Sequence, residues 1–216
     1  MGYDLYGLNP INPMNVDKPI INWGSQPSKK KIDSYFNRVS IYQKAVPGDY
    51  FRNSIWWWSP LWNFICKTCD DFLSEKDMEA GYSNSGMTIS KTKSLKIARK
   101  LDSLDKDGYI EEFETMFKEM QDKMPLEKCR VCNGIGTRKE WMGWQSETAW
   151  LKYHKTLKEN IDSINCPYKW ANECKGCNGC KGKGEIKNYK AQKTFSTENV
   201  REFSGFCRNS GGFRIS

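Results

Sequence analysis

The chain has 216 residues with a formal net charge of +8, 38% hydrophobic and 28% charged residues, nine tryptophans and nine cysteines. That balance belongs to a globular protein with a core of its own, and it excludes a disordered chain or a fibrous one. No stretch approaches the ~18 consecutive apolar residues of a membrane span, so no membrane partner is expected.

The opening Met-Gly-Tyr-Asp-Leu-Tyr lacks the basic region and apolar run of a signal peptide. An odd cysteine count without such a leader leads us to expect a reducing, cytoplasmic compartment, where clustered cysteines favour metal over disulfides. Residues 1–33 are rich in Asn, Pro and Gly; Pro10, Pro13, Pro19 and Pro27 interrupt any helix, and one short strand at the start is the most regular structure expected. Lys29, Lys30 and Lys31 read as a solvated loop before a short helix near 34–44.

From Pro60, placed in the first turn of a helix, Leu61, Ile65, Cys69 and Phe72 recur at helical spacing. Cys66 and Cys69 therefore sit on an apolar face and read first as packing groups, with a second metal pair or a redox pair as the alternative. The rings of Trp56, Trp57 and Trp58 cannot all face one way, so at least one is expected at a surface. A second helix is expected over 88–104, capped by Thr88 and striped by Ile97, Leu101 and Leu104. A third runs over 110–123, with Phe113, Phe117 and Met120 inward and Pro125 ending it.

The link between these two helices, Ser103 to Glu114, has calcium-loop spacing: Asp105, Asp107, Gly108, Ile110 and Glu114 fall at the third, fifth, sixth, eighth and twelfth positions. Ser103 stands where that loop needs its first aspartate. A helical hairpin turning at Gly108 accounts for the segment better.

Cys129-Arg-Val-Cys132-Asn-Gly-Ile-Gly136 and Cys177-Asn-Gly-Cys180-Lys-Gly-Lys-Gly184 are two copies of C-x-x-C-x-G-x-G. A two-residue spacer lets one turn aim two sulfurs at one ion, and two such turns supply the four thiolates of a closed Zn²⁺ site, the expected cofactor. The glycines allow the chain to curl and turn N–H groups toward sulfur. Cys174 with Cys177 offers an alternative register, C-x-x-C-N-G; Cys177 with Cys180 is preferred because only it keeps the full x-G-x-G tail. Between the knuckles, 146–164 reads as an amphipathic helix carrying the only histidine, His154, on its apolar stripe. Cys166 follows, and with Cys174 and His154 it could contribute to a second site. Finally, Ser196 caps a helix through Asn209, with Phe195 and Val200 placed as a hydrophobic staple and Phe203, Phe206 and Cys207 along its apolar face; Phe213 to Ser216 adds a short strand.

The knuckles resemble the cysteine-rich zinc region of DnaJ-type co-chaperones, which has four such repeats where this chain has two. No His-Pro-Asp signature exists, since His154 is followed by Lys155, so the resemblance implies metal knuckles and no chaperone function. MGYDLYGLNP, YFRNSIWWWSPLWNF, the paired C-x-x-C-N-G and the final FCRNSGGF together resemble a group of small uncharacterised tailed-bacteriophage proteins. That resemblance spans most of the chain and implies a viral protein in a bacterial cytoplasm, with no known activity.

The expected fold is α+β and mainly helical. An aromatic-rich helical body (1–125) precedes a zinc module (126–190), and a C-terminal helix (191–216) packs back on the body, with few short strands. One histidine, and no G-x-S-x-G, H-E-x-x-H, phosphate loop or strand-linked G-x-G-x-x-G, point away from an enzyme. A binding protein is expected, with a host or phage protein as partner. Nucleic acid is the alternative: 13 Lys or Arg face 7 Asp or Glu over 126–190. Arg130, Arg138, Lys139, Lys175, Lys181 and Lys183 could meet phosphates there, and Trp141 and Trp144 could stack on bases.

Overall fold

The computed structural model describes residues 2–84, 86–134, 136, 177 and 179–216. The fold is α+β and mainly helical, in two compact units: Met1–Met120 with Lys193–Ser216, and Gln121–Gln192. In sequence the second unit interrupts the first.

The first unit is built on a four-stranded antiparallel sheet: β1 (Gly2–Gly7), β2 (Tyr50–Ser54), β3 (Thr88–Ile89) and a C-terminal strand, β6 (Phe213–Ile215), in the order β2-β1-β6-β3. The first and last strands of the chain are neighbours, with Leu5 opposite Ile215 and Gly7 opposite Phe213. Strand alternation sends Leu5, Phe51, Ile89, Phe213 and Ile215 inward, while Tyr6, Arg52 and Arg214 stay exposed.

Helices α2 (Ile55–Thr68), α4 (Lys91–Lys106) and α6 (Thr197–Asn209) contribute most of the rest of this unit's core, with Leu73, Ala80, Ile110 and Phe195 completing it. Trp58 and Trp62 stack at 5.2 Å, and Phe203 packs against both Phe51 and Phe213. Polar groups inside are paired: Asn53 donates to Asn199 at 3.0 Å, and Ser94 Oγ donates to the Cys207 carbonyl at 2.7 Å. Such pairing offsets the cost of burying them. Trp57 is the exposed ring of its trio, and Trp58 the fully buried one.

Several boundaries differ from expectation for identifiable reasons. The first long helix, α1 (Lys29–Ala45), starts at the lysine run instead of after it, so Lys29, Lys30 and Lys31 form its first turn. Pro60 lies inside α2 and not at its start. A proline there leaves the Trp56 carbonyl without its helical donor, and the Thr194 N–H supplies the bond at 2.9 Å. Thr88 belongs to β3; the cap of α4 is Ser90, whose hydroxyl accepts from the Lys93 N–H. Met120 is 49% exposed and not inward, while Phe113 and Phe117 pack against the core from α5 (Tyr109–Asp122).

No calcium loop forms at Ser103–Glu114. Helix α4 continues through Lys106, and the chain turns at Gly108, as a hairpin requires. The would-be ligands are engaged elsewhere. Asp105 accepts both contacts of the Arg201 Nε, at 2.9 and 3.1 Å, and Glu114 accepts from the Thr197 N–H and hydroxyl at 2.8 and 2.6 Å. Glu114 thereby caps α6, where the Ser196 side chain makes no cap bond.

A short helix that no expected element covers, α3 (Glu75–Ala80), begins with a capping box between Ser74 and Asp77. Partial burial pushes the Asp77 carboxyl up, but hydrogen bonds from Lys93 and from Ser74 outweigh this and hold it below its ordinary value of 3.8. A carboxyl lowered in the folded state contributes stability above its unfolded pKa and loses it as pH falls through the folded one. Asp77→Asn should therefore destabilise the protein by about 1–2 kcal/mol at pH 7. The gap between variant and parent in urea unfolding should shrink as pH drops below about 4; an unchanged gap in acid would contradict this role.

Candidate metal centre

The second unit's described part holds the two glycine knuckles, a two-stranded ladder and a 3₁₀ turn at Lys190–Gln192. The ladder pairs β4 (Glu127–Lys128) with β5 (Glu185–Ile186), placing Glu127 opposite Ile186 and Lys128 opposite Glu185. It lies immediately before the first knuckle and immediately after the second. Its next rung, Cys129 N–H to the Gly184 carbonyl at 2.8 Å, ties the start of one knuckle to the end of the other.

A second rung closes the opposite side: the Cys177 N–H donates to the Gly136 carbonyl at 2.6 Å. The knuckles are thus related by an approximate twofold axis, and their internal bonds repeat. Gly134 N–H reaches the Cys129 carbonyl and Gly182 N–H the Cys177 carbonyl, both at 3.1 Å. Gly136 N–H points at Cys132 Sγ from 3.3 Å and Gly184 N–H at Cys180 Sγ from 3.2 Å. Asn133 and Lys181, at equivalent positions, both take φ of 53°.

Identical hydrogen bonding in two segments forty residues apart carries the sulfurs to one point. The Sγ atoms of Cys129, Cys132, Cys177 and Cys180 all lie within 4.8 Å of one another and are buried. Cys129 and Cys177 are 4.0 Å apart, and Cys132 and Cys180 3.7 Å. All four are free thiols. A regular tetrahedron with metal–sulfur bonds of about 2.3 Å has sulfur–sulfur edges of about 3.8 Å, so the cluster has the dimensions to hold one ion. Val131 and Ile186 pack against it and limit solvent access.

Charge at the sulfurs is shared. Desolvation opposes ionisation, yet the Gly136 N–H and the neighbouring thiols bring Cys132 down to about 7. Desolvation, together with the thiolate across the cluster, pushes Cys180 up to about 11 despite the Gly184 N–H. Ionising Cys132 thus opposes ionisation of Cys180 across the cluster, a repulsion that a bound cation relieves.

Gly136 and Gly184 cannot be replaced without loss. Their φ values are 81° and 76°, and a Cβ on either would lie 2.5 Å from a carbonyl oxygen of the opposite knuckle, Gly182 for one and Gly134 for the other. Gly184→Ala should weaken metal binding about 10–100-fold in a chelator competition, because it displaces an N–H that orients a ligand sulfur. Gly205→Ala, whose Cβ would meet nothing within 4 Å, should leave affinity unchanged. Equal affinities for Gly184→Ala and the parent would show that the N–H contact is dispensable.

The remaining candidates fall into two groups. Cys66 and Cys69 are free thiols on α2 and at its end; burial pushes Cys69 up to about 11 and also raises Cys66. Cys207 is fully buried in α6, and burial raises its thiol too. These behave as apolar packing groups of the first unit. The alternative ligand Cys174, along with Cys166, His154, Arg138, Lys139, Trp141, Trp144, Lys175 and the expected helix over 146–164, lies outside the described residues. Among the described residues the four knuckle cysteines form the one metal-competent cluster. No protein-family model, curated protein or solved structure matches the chain.

Proposed function

We propose that this is a zinc-stabilised, non-enzymatic bacteriophage protein that binds a host protein in the bacterial cytoplasm. The observation that carries the reading is the closed cluster of four buried sulfurs within 4.8 Å. Thiolates select zinc among the common divalent ions, and four of them fill a tetrahedral shell. Such a site leaves no position for a water to be activated, so its work is to hold two loops in a fixed relation. The ion's residents would be Cys129, Cys132, Cys177 and Cys180, and when bound it supplies a structural cross-link and a net charge of about −2 across the cluster.

The phage assignment is supported by the sequence resemblance in the N-terminal, tryptophan-rich and C-terminal segments. A cytoplasmic setting suits four cysteines kept as thiols. No helix among the described residues is long and apolar enough to cross a membrane. Binding, in place of catalysis, is supported by the fate of the acidic groups: Asp77, Asp102, Asp105 and Glu114 each engage a structural partner in the first unit.

A second reading, nucleic-acid binding, is favoured by the exposure of Arg130, Lys181 and Lys183 on the knuckles. Capture of the zinc-loaded chain's partners from bacterial extract, with and without nuclease treatment, separates the two. The proposal expects one host protein retained in stoichiometric amount, and retained at salt that strips phosphate contacts. Retention of nucleic acid alone, lost on nuclease treatment, would contradict it.

A further inference from the structure

Helix α1 is the outlier of the first unit. It is 17 residues long, yet Tyr42 is its one buried residue. A helix of that length is marginal in water without an apolar face to pack. Residues 20–27 run along it, with Trp23 at 5.9 Å from Tyr35 and 6.4 Å from Phe36, ring centre to ring centre. These contacts hold the preceding segment against the helix and leave a groove of about 630 Å³ between them.

The groove's lining combines two kinds of chemistry. Ile20, Ile21 and Pro27 give it apolar surface, and Ile20 is 84% exposed. Lys30, Lys31 and Arg38 give it positive charge, with no Asp or Glu in the lining. Ser28, the N-cap of α1, also lines it and makes no side-chain cap bond, so the positive end of the helix opens onto the same space. No aromatic ring lines the groove.

We infer that this groove is a docking site for an acidic protein segment that carries aliphatic side chains between its carboxylates. The inference rests on the protein-binding reading above and names the surface and the partner's chemistry. Charge complementarity requires anionic groups, because three cations and a helix N-terminus face no acid. The exposed isoleucine and proline then decide between anions. A phosphate backbone offers nothing to cover Ile20, and single-strand binding depends on ring faces that this lining lacks. A polypeptide of alternating acidic and aliphatic residues satisfies both, its carboxylates on Lys30, Lys31 and the first turn of α1 and its apolar groups on Ile20 and Pro27.

The test uses the full metal-loaded chain and three fluorescein-labelled probes: a twelve-residue peptide of repeated Glu-Glu-Leu, its Lys-Lys-Leu counterpart, and a twenty-nucleotide oligothymidine. The expected result is saturable binding of the acidic peptide alone. Lys30→Glu combined with Lys31→Glu should weaken it at least tenfold, and Ile20→Ser severalfold, with circular dichroism and metal content unchanged. Acidic-peptide binding that is indifferent to these substitutions would overturn the groove while leaving a protein-binding function standing. Tight binding of oligothymidine with none of the acidic peptide would overturn both. Failure of all three probes, or preference for the lysine peptide, would overturn the groove assignment.

Discussion

Cys132→Ser is expected to reduce bound metal from one ion per chain to almost none and to leave the second unit without its fixed knuckle arrangement. A serine hydroxyl does not ionise at neutral pH, so the variant offers three thiolates and an oxygen that cannot replace the fourth. The loss should reach beyond one ligand. Each knuckle is locked to its twin by the Cys129–Gly184 and Cys177–Gly136 rungs, and the sulfurs approach within 4.0 Å across the pair. Without a cation those approaches bring like charges together as thiols ionise. The expected signature is zinc loss by elemental analysis, rapid reaction of the three remaining knuckle thiols with a thiol reagent, and new protease cuts within 121–192. The first unit should keep its cooperative unfolding, because its core contains none of the four knuckle cysteines. Cys180→Ser, at the twofold-equivalent position, should give the same result. A variant retaining a full ion and protected thiols would contradict a four-cysteine site.

Trp62→Ala should give the largest loss in the first unit, about 3–5 kcal/mol. Trp62 is fully buried, stacks on Trp58 at 5.2 Å and 16°, and donates its indole N–H to the Met78 carbonyl at 2.8 Å. Gly81 lies so close that an added Cβ there would fall 1.9 Å from the Trp62 ring. Truncation therefore leaves a large cavity, a carbonyl without its indole donor and a Trp58 ring without its stacking partner. Trp62→Phe should recover part of the loss by refilling the cavity, though not the N–H. Urea unfolding followed by far-ultraviolet circular dichroism measures both. Metal content should not change in either variant, and a cost below about 1 kcal/mol for alanine would mean that the stack is not a core element.

What could be read from the residues alone depended on how local each device is. The knuckles were legible because their chemistry is complete within eight residues. The x-G-x-G tail that favoured Cys177 with Cys180 corresponds to the Gly184 N–H aimed at Cys180 Sγ. Helices α4, α5 and α6 announced themselves through their apolar stripes, and the turn at Gly108 through its missing first calcium ligand. The sheet was far less visible. Its central contact pairs residues 5–7 with 213–215, and no local pattern records which short strands meet across the whole chain.

The misplaced boundaries have the same origin. Pro60 normally marks a first turn, but Thr194, 138 positions away from Trp56 in sequence, supplies the donor that lets α2 begin at Ile55. Ser196 was the legible cap of α6, yet the cap bond comes from Glu114 on α5, which also removes that carboxylate from any calcium role. The capping box of α3 was present in the sequence as Ser74-Glu-Lys-Asp77, and its shortness hid it.

The most direct test of the account is metal and thiol stoichiometry on one preparation of the purified chain. Elemental analysis should find one zinc per chain; a thiol reagent should count nine cysteines under denaturing conditions, and on the native chain the four knuckle cysteines should react only after a chelator or acid releases the ion. Titration of the released chain with Co²⁺ should restore one equivalent with the visible absorption of a tetrahedral tetrathiolate. A preparation without stoichiometric metal, whose cobalt spectrum indicates oxygen ligands or six-coordination, would contradict the claim that the two knuckles close on a single ion.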